Sequence, residues 1–164
     1  QQIMIIAHNK HLLHYLFDAI EHRKITSVGY YVGGMKEDAL KESENKQVII
    51  ATYAMAEEAL DIKTLTTLIM ATPKTDVRQA VGRILRQKHK QALVIDIVDQ
   101  HDIFQRQWNK RRRYYNRKKY NIICADMENY KKDEWKDISK KKKFKSVALK
   151  KDTFLQGKCM IMDD

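Results

Sequence analysis

The chain has 164 residues, 43% of them apolar and 9% aromatic, with a net charge of +11. No apolar run approaches the roughly 18 residues of a membrane-spanning helix, and Cys124 and Cys159 make neither a disulfide framework nor a four-cysteine zinc site, which fits a reducing compartment and no membrane partner. Residues 1–100 hold 13 Lys and Arg against 12 Asp and Glu, whereas 101–164 hold 19 against 9, an asymmetry that favours a polyanionic partner such as nucleic acid.

In chain order, QIMIIA (2–7) is a short apolar run suited to a buried strand. KHLLHYLFDAIEHR (10–23) sets Leu12, Leu13, Leu16, Phe17 and Ile20 at helical spacing. ITSVGYYVG (25–33) returns to β-branched and aromatic residues, and MKEDALKESE (35–44) is polar and helix-like. KQVIIAT (46–52) and LTTLIMAT (65–72) read as strands. Asp76 is placed to cap a helix carrying RQAVGRILR (78–86), with Pro73 just upstream, and QALVIDIV (91–98) is the last central strand. Apolar strands alternating with helices predict a parallel sheet covered on both faces. Ligands in such folds gather at the carboxyl ends of the strands, where AHN, VGGM, ATYAM, ATPKTD and the helix of Gln79 fall.

That helix sets a question of its own. Residues three and four apart share a helix face, so Gln79, Arg83 and Arg86 point the same way while Val81, Ile84 and Leu85 face elsewhere. Taken alone, the cluster is equally a solvated cationic face near a helix end.

VIIATYAMAEEALDI (48–62), then a strand, then QAVGRILR (79–86), resembles motifs V and VI of superfamily 2 helicases. The resemblance is to the second, C-terminal RecA-like domain and extends over residues 1–99, with IMIIAHNKHLLHYL similar to motif IV. YYVGGMK followed by the motif V segment looks most like the helicases of large DNA viruses. Every fixed position of Gln-x-x-Gly-Arg-x-x-Arg is filled, while Ala59 stands where relatives carry glycine.

The resemblance implies a three-layer α/β RecA-like domain and a set of roles. ATP lies between two RecA-like domains, the first supplying the phosphate-binding loop and the Mg²⁺ carboxylates. Arg83 and Arg86 resemble the arginine fingers of the second, with Gln79 the polar residue beside them and Gly82 completing the nucleotide-facing pattern. A guanidinium is always charged and its fork of donors matches phosphoryl oxygens, a contact worth about 10³–10⁵ in rate. Asp61 resembles the carboxylate that meets the ribose or the partner domain, and equally suits a turn before IKTL. Thr52 resembles a donor to nucleic-acid phosphate, or is a helix N-cap. His8 and Asn9 fall where the family touches the nucleic-acid backbone, and Asn9 also suits an N-cap for 10–23. Glu57 and Glu58 are expected at the surface or between domains, because paired carboxylates repel phosphate. His11, His14 and His22 have no cysteine or carboxylate to complete a ligand set, so no metal site is expected.

No G-x-x-x-x-G-K-[ST] loop occurs in the chain, and DEWK (133–136) follows no strand, so its likeness to an Asp-Glu box is coincidental. ATP and Mg²⁺ are therefore expected in a full-length protein, held mainly by an N-terminal RecA-like domain, and on this chain alone neither is expected. Gln1 opens almost directly into the strand-like IMIIA, without a basic lead or a cleavage site, so a piece of a longer intracellular protein is expected. Its place would be the cytoplasm or nucleus, or the viral factory or virion if viral.

Beyond residue 100 a basic, mainly helical extension (101–164) is expected. DIFQRQWNKRRRYYNRKKYNIICA (102–125) sets Trp108 and Phe104 to pack on the body rather than stack on bases, among eight basic residues from Arg106 to Lys119. Arg111, Arg112 and Arg113 are the expected phosphate contacts, independent of sequence and sensitive to salt, on DNA or RNA. KKKKFK (140–145) reads as a nuclear address, a nucleic-acid contact or a solvated run, and SVALK and KCMIMDD suit short strands. The expected function is one half of an ATP-dependent helicase or translocase. The competing expectation is a non-catalytic nucleic-acid-binding or assembly module, which has no need of the Gln79, Gly82, Arg83 and Arg86 spacing.

Overall fold

The computed structural model describes residues 1–58, 62–84, 92–139 and 159–162. Strand β1 (Gln2–Ala7) lies at the middle of a parallel sheet, paired on one side with β3 (Val48–Thr52) and on the other with β4 (Leu65–Met70). A strand in that position is covered on both faces, which is why its residues form an apolar run instead of alternating. Met4 and Ile6 enter one core, and Ile5 and Ala7 enter the other. β2 (Val28–Tyr31) flanks β3 and β5 (Leu93–Asp96) flanks β4, giving the parallel order β2-β3-β1-β4-β5. The fold is thus the α/β RecA-like architecture that the sequence predicts.

Helix α1 (Lys10–Arg23) covers the face of Ile5, Ala7, Val48 and Ile50 through Leu13. It begins where the Asn9 side chain accepts a hydrogen bond from the His11 amide at 2.8 Å, and it ends at Lys24, whose φ of 50° turns the chain out of the helix. Helix α2 (Glu37–Glu44) lies so close to β2 that a Cβ at Gly29 would come within 3.0 Å of Ser43 and 2.9 Å of Lys46, which accounts for glycine inside that strand. On the face opposite α1, which α2 shares through Leu40, lie the short α3 (Tyr53–Glu58) and α4 (Arg78–Ile84), with Ala56, Ala80, Val81 and Ile84 in one core with Met4, Ile49 and Ala51. The Asp76 carboxylate accepts from the Arg78 amide at 3.1 Å and starts α4, as expected.

The basic extension shares this core and this sheet. Its long helix α5 (Asp102–Arg117) buries Trp108 and Tyr115 in the same cluster as Met4 and Ile49, together with Tyr120 and Ile122. Trp108 therefore packs, as the sequence predicts. After β6 (Asn121–Cys124) come α6 (Met127–Lys131) and the two-residue β7 (Lys136–Asp137). β8 (Cys159–Met162), from the KCMIMDD segment, inserts antiparallel between β5 and β6, so the sheet continues as β5-β8-β6-β7 to eight strands. KKKKFK and SVALK lie outside the described residues.

Candidate functional site

The strand order places β1 between β3 and β4, and the loops leaving the carboxyl ends of these three strands meet. Ala7 at the end of β1 is in register with Thr52 at the end of β3, so His8 and Tyr53 emerge side by side, their rings 4.4 Å apart. The His8 amide donates to Thr72 Oγ1 at 3.0 Å, and the Tyr53 hydroxyl donates to the Thr72 carbonyl at 2.6 Å, tying the loop after β4 to the other two. Burial pushes the Tyr53 phenol well above its usual range and keeps it a donor. Burial, and next the Lys74 charge, push the His8 imidazole below its ordinary value, against an opposing pull from Glu57.

The same β4 loop delivers Lys74, whose ammonium pairs with the Glu57 carboxylate and stands 4.9 Å from the centre of the Tyr53 ring. From α4, Gln79 Nε2 donates to the Glu57 carbonyl at 2.5 Å. Glu57, Lys74, Asp76, Arg78 and Gln79 line an open cleft of about 490 Å³. Asp76 is bound by the Arg78 side chain and amide, which hold its carboxyl down to about 2. Within this cluster both carboxylates have cationic partners, which leaves lone pairs and N–H donors, not bare negative charge, facing the opening. Glu57 lines this cleft as half of an ion pair, so Lys74 neutralises its charge there. Lys74 and Tyr53 were not singled out from the sequence, although ATPKTD at a strand end marked the loop.

Gln79, Gly82 and Arg83 lie on α4, with Arg83 one turn beyond Gln79. Among the described residues a Cβ at Gly82 would meet nothing within 4 Å. Arg86 and Asp61 fall outside the described residues. Thr52 and Asn9 both take the capping alternative: Thr52 Oγ1 accepts from the Met55 amide at 3.4 Å, and Asn9 Oδ1 from the His11 amide. Each cap uses an acceptor lone pair only, so the Thr52 hydroxyl proton and the Asn9 amide protons are left as donors. Among the described residues no group of three His, Cys, Asp or Glu side chains could hold a metal.

The run of three arginines on α5 divides between inside and outside. Arg111 does not face solvent. Its side chain is 0% exposed, with Nε 2.7 Å and Nη2 2.8 Å from the two oxygens of Asp96, and Nη1 donates to the Lys74 carbonyl at 2.6 Å. The Tyr115 hydroxyl donates to the same carboxylate at 3.2 Å. Burial pushes Asp96 up while Arg111 and Tyr115 pull it back. Burial also works against the Arg111 charge, and Asp96 more than offsets it, so the guanidinium stays above its ordinary value. The expectation that Arg111 contacts phosphate is therefore overturned, because its donors are consumed and no anion reaches it. Arg112 is half-buried and donates to the Ile138 carbonyl at 3.3 Å, which turns it toward protein as well, and Arg113 is exposed.

No protein-family model matches the chain. Over 112 residues it is 46% identical to a protein of Acanthamoeba polyphaga mimivirus called "Putative ATP-dependent RNA helicase L396", a match covering 65% of this chain and 22% of that protein. Over 103 residues it is 32% identical to "Putative ATP-dependent RNA helicase QP509L" of African swine fever virus, covering 60% of this chain and 20% of that protein. The chain thus spans about a fifth of the length of these two relatives. It is also 31% identical over 70 residues to "Uncharacterized protein 108L" of Invertebrate iridescent virus 3, covering 42% of this chain and 67% of that one. Among solved structures, the C-terminal part of the Fun30 ATPase domain superposes with a TM-score of 0.57 at 10% identity, over 67% of this chain and 39% of that one, which is a likeness of fold. No helix among the described residues is long and apolar enough to cross a membrane. By sequence the chain is thus a relative of these helicase-named proteins of large DNA viruses, and by fold it is RecA-like.

Proposed function

We propose that this domain is the second half of an ATP-dependent helicase or translocase motor, working with an N-terminal RecA-like domain of the same polypeptide. In this reading residues 1–100 form the motor body and 101–164 a basic extension packed onto it. The observation that carries the reading is the open cleft at the carboxyl edge, which gathers the Gln79 end of the Gln-x-x-Gly-Arg-x-x-Arg helix with Lys74 and Arg78. Donors for phosphate remain beyond the bonds to Glu57 and Asp76: the second proton of the Gln79 amide, further protons of the Lys74 ammonium, and Arg78 Nη1. Among the described residues nothing crowds Gly82, where a mid-helix glycine costs about 1 kcal/mol against alanine, which suits a ligand approaching the backbone.

ATP, if bound between the two domains, would supply a phosphoryl group for transfer to water, and Mg²⁺ would be held by the other domain. On this chain Arg83 and Arg86 would be the residues to meet that group with fixed positive charge, with Gln79 beside them, and Asp61 the one to meet the ribose or the partner domain. Thr52, Asn9 and His8 offer donors to a nucleic-acid backbone, DNA or RNA, at the ends of β1 and β3. Closure of the two domains on the strand, and its release after hydrolysis, would give stepwise movement.

The reading is tested by turnover. Purified 1–164 is expected to show no nucleic-acid-stimulated ATP hydrolysis, and a polypeptide joining it to its phosphate-binding-loop partner is expected to show it. Robust turnover by the isolated chain would remove the assignment.

A pH dependence follows at His8. Its depressed value leaves the ring neutral above pH 6.5, with Lys74 opposing and Glu57 favouring protonation. A bound phosphate favours the imidazolium, so affinity for a single strand should rise as pH falls from 7.5 to about 5.5. His8→Gln should remove that part of the rise. An unchanged pH profile in the variant would take His8 out of the contact.

A further inference from the structure

We propose that the outer face of α5 is a rail for the nucleic-acid backbone, formed by Arg106, Lys110, Arg113 and Arg117. The inference deepens the nucleic-acid part of the function above, and rests on it, but not on ATP hydrolysis. The four residues are spaced four, three and four apart, which keeps them on one side of a helix, and at about 1.5 Å per residue they span about 16 Å. All four are exposed, while Trp108, Arg111 and Tyr115 are buried on the opposite side. Helix-end electrostatics account for Arg117, in the last turn, and for Asp102 in the first, but not for the cations between them.

Some cations of the body, Lys41, Lys46, Lys74 and Arg78, lie beside carboxylates, and others, such as Lys36 and Lys63, do not; α5 differs in setting four exposed cations along one helix face, with no acidic side chain among the described residues paired to any of them. The stripe is also held rigidly. Arg111 pins the middle of α5 to Asp96 and to the Lys74 carbonyl, so the helix is fixed to the carboxyl edge that carries the cleft. Cations on a preordered helix lose less freedom on binding than cations on a loose tail.

The chemistry favours nucleic acid over other anionic surfaces. Three of the four are arginines, whose planar forks match phosphate oxygens. Ile103, at the start of α5, is the one exposed large hydrophobic residue described on the helix, too little apolar surface to sink into a bilayer and no aromatic anchor for a protein partner.

The test is a salt titration of the whole chain with a fluorescein-labelled oligonucleotide, followed by anisotropy. The stripe variant is R106Q/K110Q/R113Q/R117Q, and the charge-matched control is K36Q/K63Q/K131Q/K132Q, four exposed lysines elsewhere. Circular dichroism checks that both are folded. At 0.7–0.9 per phosphate released, the slope of log K against log salt should fall by about 3 in the stripe variant and by less than about 1 in the control. Equal losses in both variants would overturn the rail, as would absence of binding by the wild-type chain at low salt. So would wild-type binding to phosphatidylcholine–phosphatidylserine vesicles with none to the oligonucleotide. Binding is the readout here and turnover the readout for the motor, so either reading can fail without the other.

Discussion

In the polypeptide that joins this domain to its phosphate-binding-loop partner, Arg86→Ala and Arg83→Ala are each expected to lower kcat by about 10³ or more. The negative charge of phosphoryl transfer spreads over oxygens that a guanidinium meets with two donors at once, and alanine offers neither charge nor donor. The loss should appear in kcat and kcat/KM together, since the contact is proposed to strengthen in the transition state, and nucleotide affinity should change little. Arg→Lys should recover only part of the rate, because a single ammonium cannot reproduce the fork. The domain should remain folded, as the core residues of α4, Ala80, Val81 and Ile84, are unchanged. Turnover at the wild-type rate in both alanine variants would return the cluster to a solvated helix face.

Arg111→Ala is expected to destabilise the chain by about 3–5 kcal/mol, as removing one member of a buried ion pair does. The side chains of the pair are 0% and 1% exposed, so Asp96 would be left buried opposite a cavity, and the Lys74 carbonyl would lose a donor. Arg111→Lys should be nearly as damaging, since one ammonium cannot span both Asp96 oxygens and the carbonyl. Replacing Arg111 with Met and Asp96 with Leu together should restore much of the loss, because no charge then stays unpaired. Truncation after Gln100 should likewise abolish cooperative folding, as it removes Trp108, Tyr115, Tyr120 and Ile122 from the core. Urea denaturation measures each case. A midpoint for Arg111→Ala within about 0.5 kcal/mol of wild type would show that the pair contributes little.

The central part of the fold was legible because its cause is local and periodic. Strands buried on both faces of a parallel sheet must be continuous apolar runs, and QIMIIA, QVIIAT and LTTLIM have that form. The helical phase that sets Gln79, Gly82 and Arg83 on one short helix is likewise carried by spacing alone. Asn9 and Thr52 were ambiguous for a physical reason: a side chain that caps a helix and one that meets a phosphate at a strand end are the same residue types at the same position. The structure shows the capping bonds and leaves their donors available.

Contacts distant in sequence decided the remainder. Nothing near Lys74 announces that Glu57, 17 residues away, neutralises it. Nor does CMIM specify by itself that it will lie between β5 and β6, because strand pairing is chosen by the partner edges available. Arg111 lies between these cases. Three adjacent arginines read as a surface run, yet Arg111 stands three residues after Trp108 and four before Tyr115, on the aromatic side of the helix. Its phase therefore pointed inward. What the sequence lacked was Asp96, since an arginine can be buried only where a carboxylate waits for it, and the fold alone brings β5 under α5 to provide one.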